Sequence, residues 1–249
     1  MTLTQAETLA VTRAGDIWTV RIDRPEAGNA LNDQVITALT RVVAEAAERA
    51  RALVIEGSPH VFCDGADLAS EVDQDPEEVY RLFWALTSGP FVSVAHVRGR
   101  VRGGGLGLVA AADLVVADPS ATFGAPELLF GLYPALVLPF LARRVGRGRA
   151  NAVALATLDF TATDAHRWGL VDQIADDSVR AVDRLTRRLR ALDKDAVATF
   201  KRYALACDDD PVAQLPQAVA ANRAMFADPG NRRRIGRYVA EGILPWEAE

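Results

Sequence analysis

The stretch that decides the fold is residues 96–134, HVRGRVRGGGLGLVAAADLVVADPSATFGAPELLFGLYP. Its three consecutive glycines, Gly103–Gly105, precede an apolar run and then a strand-like run, Leu114–Ala117. Glycines at the start of a helix let a ligand approach the backbone closely and leave N–H groups free to bind an oxyanion. Glu127 follows as a lone carboxylate among apolar residues, an environment that raises a carboxyl pKa toward neutrality. The stretch therefore predicts a site where a polarised carbonyl lies beside a proton-transfer carboxylate.

Composition limits the function classes that fit this chain. Half of its 249 residues are hydrophobic, which is enough for one large domain with a sizeable core. A net charge of −5 argues against a dedicated nucleic-acid binder. Cys63 and Cys207 are far apart and lack metal-ligand spacing, so we expect free thiols and no metal site. We find no signal-peptide pattern and no apolar run of membrane-spanning length, and we expect a cytoplasmic protein with no membrane partner.

Hydrophobic periodicity predicts an α/β fold. Alternating apolar residues in 9–13 and 17–22 indicate a β-hairpin, and helical spacing indicates a helix that is capped by Asn32 or Asp33 and ends near Arg49. Strands joined through helices in residues 1–175 predict parallel-sheet crossovers, and the chain is predicted to be helical after Asp176. The same patterns predict strands at 52–56, 91–97 and 169–172, helices at 76–86, 134–145, 151–158 and 163–168, and a loop at 57–67.

Four motifs in order carry a resemblance to a known family. They are RPEAGNAL at 24–31, similar to RPxxxNAL; FCDGADL at 62–68, similar to FxAGADL; GGG at 103–105 followed by Ala112-Asp113, similar to GGGxxLALACD; and FGAPE at 123–127 followed by Gly131, similar to FGxPExxLG. The chain thus resembles the crotonase (enoyl-CoA hydratase/isomerase) superfamily over nearly its whole length. The resemblance implies a spiral of repeated ββα units over residues 1–175. It also implies a C-terminal helical region over residues 176–249, for pocket closure and assembly into a homotrimer or hexamer.

The resemblance also implies an incomplete catalytic pair. By resemblance, the backbone N–H groups of Ala66 and Gly104 form an oxyanion hole around a thioester carbonyl. Glu127 matches one of the two glutamates of familiar hydratases, whereas the position of the other is Gly107. This excludes an unmodified two-glutamate mechanism. It leaves three possibilities: one carboxylate performs both proton transfers, a different acid substitutes, or activity is lost.

Two residues are candidates for the substitute acid. Asp64 replaces a small residue on the oxyanion loop and could face the substrate; the alternative is that it caps the following turn or faces solvent. His96 is of a residue type that exchanges protons near neutral pH. It lies on a strand that the sequence predicts to be buried, so the alternative is a hydrogen-bonded core histidine.

Substitutions near the motifs favour a carrier-protein substrate. CoA-using relatives often have lysines near the nucleotide phosphates, where this chain has Ala27 and Ala69. Residues 96–99 and 127–140 together look like the polyketide β-branching dehydratases, which convert 3-hydroxy-3-methylglutaryl-carrier protein to 3-methylglutaconyl-carrier protein. Leu68–Asp75 lacks the lysine and tyrosine associated with a sister decarboxylase branch. The resemblance therefore implies a dehydratase, a carbon–oxygen lyase with an acyl carrier protein as partner and no cofactor beyond the phosphopantetheine or CoA that carries the substrate.

The distal carboxylate of that substrate requires a cation, and aromatic side chains are candidates for the pocket wall. The candidate substrate-binding residues are Arg98, Arg100, Arg102, Trp84, Tyr133 and His96. Which arginine faces the pocket depends on which side of the strand each side chain points to, and the sequence leaves this open. For the aromatic residues, the alternative is a place in the hydrophobic core, since aromatic residues at helical spacing are more often core. Two other functions stay open: an enoyl-CoA hydratase or isomerase acting on an acyl-CoA, and a non-catalytic acyl-thioester-binding protein.

Overall fold

A computed structural model describes residues 4–6, 8–70, 74–207 and 211–244. The strands are β1 Thr4–Ala6, β2 Leu9–Ala14, β3 Ile17–Ile22, β4 Ala52–Glu56, β5 Val61–Cys63, β6 Val92–Val97, β7 Arg100–Arg102, β8 Leu114–Ala117, β9 Thr122–Gly124, β10 Phe160–Thr161 and β11 Gln173–Ile174. The helices are α1 Asp33–Arg49, α2 Pro76–Ser88, α3 Gly104–Ala111, α4 Leu138–Val145, α5 Arg147–Ala156, α6 Ala162–Arg167, α7 Ser178–Leu189, α8 Lys194–Ala206, α9 Pro211–Ala227 and α10 Pro229–Glu241. Two 3-10 helices cover Pro25–Ala27 and Glu127–Phe130.

The strands form two sheets that share a repeating connection. The large sheet has the order β1-β2-β3-β4-β6-β8-β11, antiparallel up to β3 and parallel from β3 onward. The small sheet has the order β10-β9-β7-β5, and its β5, β7 and β9 are parallel. Each repeat places its first strand in the large sheet and its second in the small sheet before a helix: β4-β5-α2, β6-β7-α3 and β8-β9-α4. This arrangement confirms the predicted spiral of ββα units.

Side-chain alternation along β6 separates two hydrophobic layers. Ala95 and Val97 belong to the main core, which also contains the inward faces of α1, α2 and α3. Val92 and Val94 point to the opposite face of the large sheet, where they pack against Ala181 and other residues of α7. Because successive strand residues point to opposite faces, His96 shares the α7 side of the sheet.

Most of the predicted elements in the first half of the chain are confirmed. The hairpin forms between β2 and β3, and α1 begins after Asn32, whose side-chain oxygen accepts a hydrogen bond from the N–H of Val35. The strand at 52–56, the strand ending at Val97 and the helix beginning at Pro76 are also present.

Three of the predicted elements differ from the structure. The expected loop at 57–67 contains β5, because Val61 and Cys63 pair with β7. The helix expected at 134–145 begins only at Leu138, after a turn that Pro134 closes by accepting hydrogen bonds from two later N–H groups. The strand expected at 169–172 lies at 173–174 instead, since residues 170 and 171 both bond the carbonyl of Ala165 at the end of α6.

The predicted helical region after Asp176 is observed as α7 to α10. It is packed onto the rest of the chain at several points: α7 covers one face of the large sheet, and α9 contacts α2. Buried Lys201 on α8 donates hydrogen bonds to the carbonyls of Leu86 and Phe91 and to Asp113. The part of the chain described by the structure has no helix long and apolar enough to cross a bilayer.

Candidate active site

A cavity of about 700 Å³ brings the predicted oxyanion donors and the predicted carboxylate together. Ala66 on the loop after β5, Gly104 at the start of α3 and Glu127 in the second 3-10 helix all line it. Helices α2, α9 and α10 and the segment 130–137 before α4 contribute further walls, so two C-terminal helices line one side of the cavity. The motifs that are separated in sequence therefore meet in one place.

Among the described residues, the N–H group of Ala66 has no hydrogen-bond acceptor, because of the way its loop pairs with a neighbouring segment. Leu31 forms a parallel bridge to Ala66, in which the N–H of Leu31 donates to Gly65 and the carbonyl of Leu31 accepts from Asp67. A bridge of this kind uses the polar groups on both sides of Ala66 and none of its own. The amide of Ala66 is thus available to a ligand in the cavity.

The second free N–H group belongs to Gly104, the first residue of α3. The first N–H groups of an α-helix have no partner within the helix. A Cβ atom on Gly65, which has φ +95°, would lie 3.1 Å from the nitrogen of Gly104, and a Cβ on Gly104 would lie 3.0 Å from Leu31 Cδ1. Glycine at these positions therefore lets the loop after β5 and the start of α3 approach each other closely.

Glu127 is a buried carboxylate with an unsatisfied oxygen. Its Oε2 is buried and has no hydrogen-bond partner among the described residues, and its Oε1 lies 3.5 Å from where a Cβ of Gly103 would be. Loss of solvation on burial raises the pKa of Glu127 from 4.5 to about 7, against a smaller lowering by its own backbone N–H. A carboxyl group with such a pKa can both accept and donate a proton near neutral pH.

The position of the missing second glutamate is filled by an aromatic ring. A Cβ on Gly107 would lie 2.5 Å from two ring carbons of Phe83 and 3.2 Å from a methyl carbon of Val137. The Phe83 ring is itself held edge-to-face against Phe140, with a centroid separation of 5.6 Å. A side chain at position 107 would therefore overlap the Phe83 ring in its present position.

Asp64 lines the cavity but is held in an ion pair. Its Oδ1 accepts a hydrogen bond from Arg100 Nε at 2.7 Å, and its Oδ2 accepts one from Arg100 Nη2 at 2.6 Å. These bonds raise the pKa of the Arg100 guanidinium. Asp64 is therefore placed as the partner of Arg100, and both of its oxygens are engaged.

The three arginines expected at the distal carboxylate do not line the cavity. Arg100 pairs with Asp64, and Arg102 forms a two-point ion pair with Asp159 of the loop after α5. Arg98 is close enough to Asp118, the residue after β8, to lower the pKa of that carboxyl group. The expectation that one of them meets the substrate is corrected by the structure, because nearer carboxylates take up Arg100 and Arg102.

His96 is also absent from the cavity, since β6 directs it to the α7 face of the large sheet. Its Nδ1 is 3.0 Å from Glu56 Oε2, and its Nε2 is 3.0 Å from Ser178 Oγ. His96 is therefore a hydrogen-bonded core histidine. The expectation that it contacts the substrate or supplies a proton is corrected. Burial raises the pKa of the Cys63 thiol to about 12, which argues against a nucleophilic role.

Of the two aromatic candidates, one lines the cavity. Tyr133 is on its wall with 44% of its surface exposed. Trp84 is packed against the main core instead and does not line the cavity, so the core alternative applies to it.

Sequence reasoning missed six polar side chains on the cavity wall. They are Asp67 and Ser70 on the segment after β5, Gln74 just before α2, Asn222 and Arg223 on α9, and Arg232 on α10. The arginines lie about a hundred residues from the motifs, on helices whose placement no local pattern specifies. Gln74 lies in a polar segment whose composition predicts an exposed surface.

Comparison with known proteins agrees with this geometry. The family model for enoyl-CoA hydratase/isomerase matches residues 12–247. The chain belongs to the enoyl-CoA hydratase/isomerase family. The bacillaene synthase dehydratase PksH of Bacillus subtilis is 38% identical over 258 residues, which covers 99% of both chains. A probable enoyl-CoA hydratase, echA6 of Mycobacterium tuberculosis, is 34% identical over 170 residues, covering 67% of this chain and 70% of that one.

The fold is similar to solved structures of proteins named as members of this family. A putative polyketide biosynthesis enoyl-CoA hydratase (pksH) from Bacillus subtilis superimposes with a TM-score of 0.92 at 38% identity, covering 96% of this chain and 99% of that one. A carnitinyl-CoA hydratase from Mycobacterium avium superimposes with a TM-score of 0.84 at 28% identity, covering 98% and 100%. The spiral architecture is therefore that of the enoyl-CoA hydratase/isomerase family throughout the matched length.

Proposed function

We propose that this protein is a dehydratase that converts 3-hydroxy-3-methylglutaryl-acyl carrier protein to 3-methylglutaconyl-acyl carrier protein. One observation carries the proposal: a single buried carboxylate, Glu127, with a pKa of about 7, shares a cavity with two free backbone N–H donors, Ala66 and Gly104. The site that would hold a second carboxylate is filled by Phe83. We therefore assign both proton transfers to Glu127.

The proposed reaction uses Glu127 first as a base and then as an acid. The N–H groups of Ala66 and Gly104 donate to the thioester oxygen and stabilise the negative charge that develops there. The Glu127 carboxylate removes the proton from the carbon next to the carbonyl. The electron pair forms the carbon–carbon double bond as the C3–O bond breaks, and Glu127 returns the proton to the departing hydroxyl. The products are water, the unsaturated thioester and the regenerated carboxylate.

The carrier-protein form of the substrate is supported by two features. Ala27 and Ala69 stand where CoA-using relatives often have lysines for the nucleotide phosphates. A relative that matches 99% of the chain is the bacillaene synthase dehydratase PksH. A substrate on a phosphopantetheine arm lacks the nucleotide and needs no such contacts.

Mass spectrometry of the carrier-bound acyl group tests the proposal. We expect the wild-type protein to remove water from 3-hydroxy-3-methylglutaryl-carrier protein, with no loss of carbon dioxide. The Glu127→Gln variant should remove water about 10³-fold more slowly. An unchanged substrate with the wild-type protein, or equal turnover by Glu127→Gln, would refute the dehydratase assignment.

A second candidate is a hydratase or double-bond isomerase that acts on an acyl-CoA. The match to echA6 favours it, and a single carboxylate is compatible with isomerisation. Parallel assays on the carrier-bound and CoA-bound 3-hydroxy-3-methylglutaryl group separate the two. Faster turnover of the CoA thioester would favour this second candidate, and carrier binding without turnover would favour a non-catalytic acyl-binding protein.

A further inference from the structure

We propose that Gln74 and Arg223 form a subsite that binds the distal carboxylate of the acyl chain. The subsite lies where the N-terminal end of α2 meets α9, and both side chains line the cavity that contains Glu127. This inference rests on the proposed function, because a distal carboxylate distinguishes the 3-hydroxy-3-methylglutaryl group from simple acyl chains.

Gln74 supplies the observation that points to a ligand. Its Nε2 is buried and has no hydrogen-bond partner within the described residues. A buried donor without an acceptor is costly, so such groups call for an explanation. Three buried side-chain atoms lack a partner in the described chain, and two of them, Gln74 Nε2 and Glu127 Oε2, belong to residues that line this one cavity. One substrate can satisfy both atoms: its distal carboxylate accepts a hydrogen bond from Gln74, and its reacting C–H and hydroxyl groups lie at Glu127.

Arg223 supplies the charge that a carboxylate requires. Its Nη2 donates to Asp75 Oδ1 at 3.1 Å, next to Gln74 in sequence. Asp75 Oδ1 also accepts from the N–H of Glu77 at the start of α2, so the carboxylate that positions the guanidinium is itself fixed. A guanidinium has five N–H donors, and the bond to Asp75 uses one of them. The others can bind a second carboxylate with two parallel hydrogen bonds.

The wall between the subsite and the reaction centre is apolar. Pro76, Val79 and Phe83 of α2 line the cavity in successive turns, and the Phe83 ring lies against Gly107 of α3. This wall suits the methyl and methylene groups that separate the thioester from the distal carboxylate. Arg232 also lines the cavity, but its Nε donates to the carbonyl of Phe226 at 2.7 Å, away from Gln74.

Binding of unreactive thioesters by calorimetry tests the subsite without requiring turnover. Glutaryl-pantetheine has the distal carboxylate but no hydroxyl to eliminate, and butyryl-pantetheine lacks both. We expect the wild-type protein to bind glutaryl-pantetheine at least about tenfold more tightly than butyryl-pantetheine, because one charge-assisted hydrogen bond contributes a free energy of this size. Gln74→Leu and Arg223→Gln should each lose most of that preference while binding butyryl-pantetheine as before, and Arg223→Lys should recover part of it.

Matched controls are available away from the cavity. Gln34→Leu on α1 and Arg180→Gln on α7 change the same residue types at exposed positions and should keep the full preference. Thermal melting of each variant checks that it folds. The subsite is refuted if the wild-type protein has no preference for the glutaryl thioester or if both variants retain it. Loss of the preference in Arg232→Gln instead of Arg223→Gln would overturn the assignment of Arg223.

Failure of the inference and failure of the proposed function give different results. A wild-type protein that dehydrates the carrier-bound substrate while Gln74→Leu and Arg223→Gln keep the glutaryl preference refutes only the subsite. A wild-type protein that prefers the glutaryl thioester through these residues but removes no water refutes only the dehydratase assignment.

Discussion

At the scale of the residue, the protonation of Glu127 is controlled by burial. Loss of solvation raises its pKa, and the smaller contribution of its own backbone N–H acts in the opposite direction. Two other carboxylates line the cavity on the loop after β5, and each is paired with an arginine: Asp64 with Arg100 and Asp67 with Arg24. Glu127 differs from both, because one of its oxygens is buried without a partner among the described residues.

The pH dependence of dehydration should report Glu127. The base must be ionised in the free enzyme, so we expect kcat/KM to rise with pH through a midpoint near 7. Glu127→Gln should lose about 10³-fold in kcat, within the range for a general acid–base group. Steady-state rates between pH 5 and 9 measure both. A midpoint near 4.5 would show that burial does not control this group.

Asp64→Asn should retain turnover within about threefold of the wild-type rate. Both oxygens of Asp64 pair with Arg100, so removing its charge should not remove a proton-transfer group. Initial rates on the carrier-bound substrate measure this. A hundredfold loss would make Asp64 the second proton-transfer group of the reaction.

Burial of Glu127 should also make stability depend on pH. Its pKa is higher in the folded chain than in the unfolded chain, so the folded state binds the proton more tightly. The associated stability is present below pH 4.5 and is lost as the pH rises through about 7. The difference between the two pKa values corresponds to about 3 kcal/mol. Glu127→Gln should therefore be more stable than wild type by up to about this amount at pH 8 and similar at pH 4.5.

Urea unfolding of both proteins across this pH range provides the measurement. Glu26→Gln, at an exposed position in the first 3-10 helix, serves as a carboxylate control outside the cavity. A stability difference for Glu127→Gln that does not grow between pH 4.5 and 8 would contradict the assigned pKa.

At the scale of the element, the packing of α3 against α2 sets the number of catalytic carboxylates. Gly107 lets the Phe83 ring approach the α3 backbone, and a side chain there would overlap the ring. The same helix begins with Gly104, so one face supplies the oxyanion donor and another accepts the aromatic ring. α3 thus contributes backbone groups to the chemistry and no side-chain acid.

Gly107→Ala should destabilise the protein by about 1–3 kcal/mol, because its Cβ would overpack against Phe83. Gly148→Ala is the matched control: it is also a helical glycine, in α5, but a Cβ there meets nothing within 4 Å. Higher helix propensity should make the control neutral or more stable by about 0.5–1 kcal/mol. Chemical denaturation measures both, and equal effects of the two substitutions would argue against a close Phe83 contact.

At the scale of the whole molecule, the C-terminal helices have two roles in the described structure. α9 and α10 supply cavity wall, and α8 is anchored to the core through Lys201. Because these helices pack on the first 175 residues, we do not expect residues 176–249 to fold independently. The role of this region in assembly stays a prediction. Large apolar side chains, Phe200 and Tyr203 on α8, are more than 60% exposed, which suits a surface that another copy covers.

The resemblance to the family predicts a homotrimer, or a hexamer built from two trimers. Light scattering should therefore give three or six times the chain mass of 26.8 kDa. Replacing both Phe200 and Tyr203 with Glu should lower that mass if α8 lies in the interface, whereas Arg202→Glu, which keeps both aromatic side chains, controls for the change in charge. A wild-type mass of one chain at micromolar concentration would contradict the expectation.

The sequence by itself determined the family and the spiral fold, and it predicted that Ala66, Gly104 and Glu127 belong to one site; all three line the same cavity. These features depend on short motifs and on local periodicity, in which glycines, caps and alternating apolar residues specify their own surroundings. The loss of the second glutamate is also visible in the sequence, since Gly107 falls inside a motif.

Only the tertiary structure decided which other side chains meet the cavity. Strand parity sends His96 to the α7 face, and the ion pairs with Asp64 and Asp159 withdraw Arg100 and Arg102. The cavity arginines come instead from α9 and α10. These outcomes depend on contacts between residues far apart in the chain. Which carboxylate pairs with each arginine depends on distances in the folded molecule, and no local sequence pattern specifies those distances.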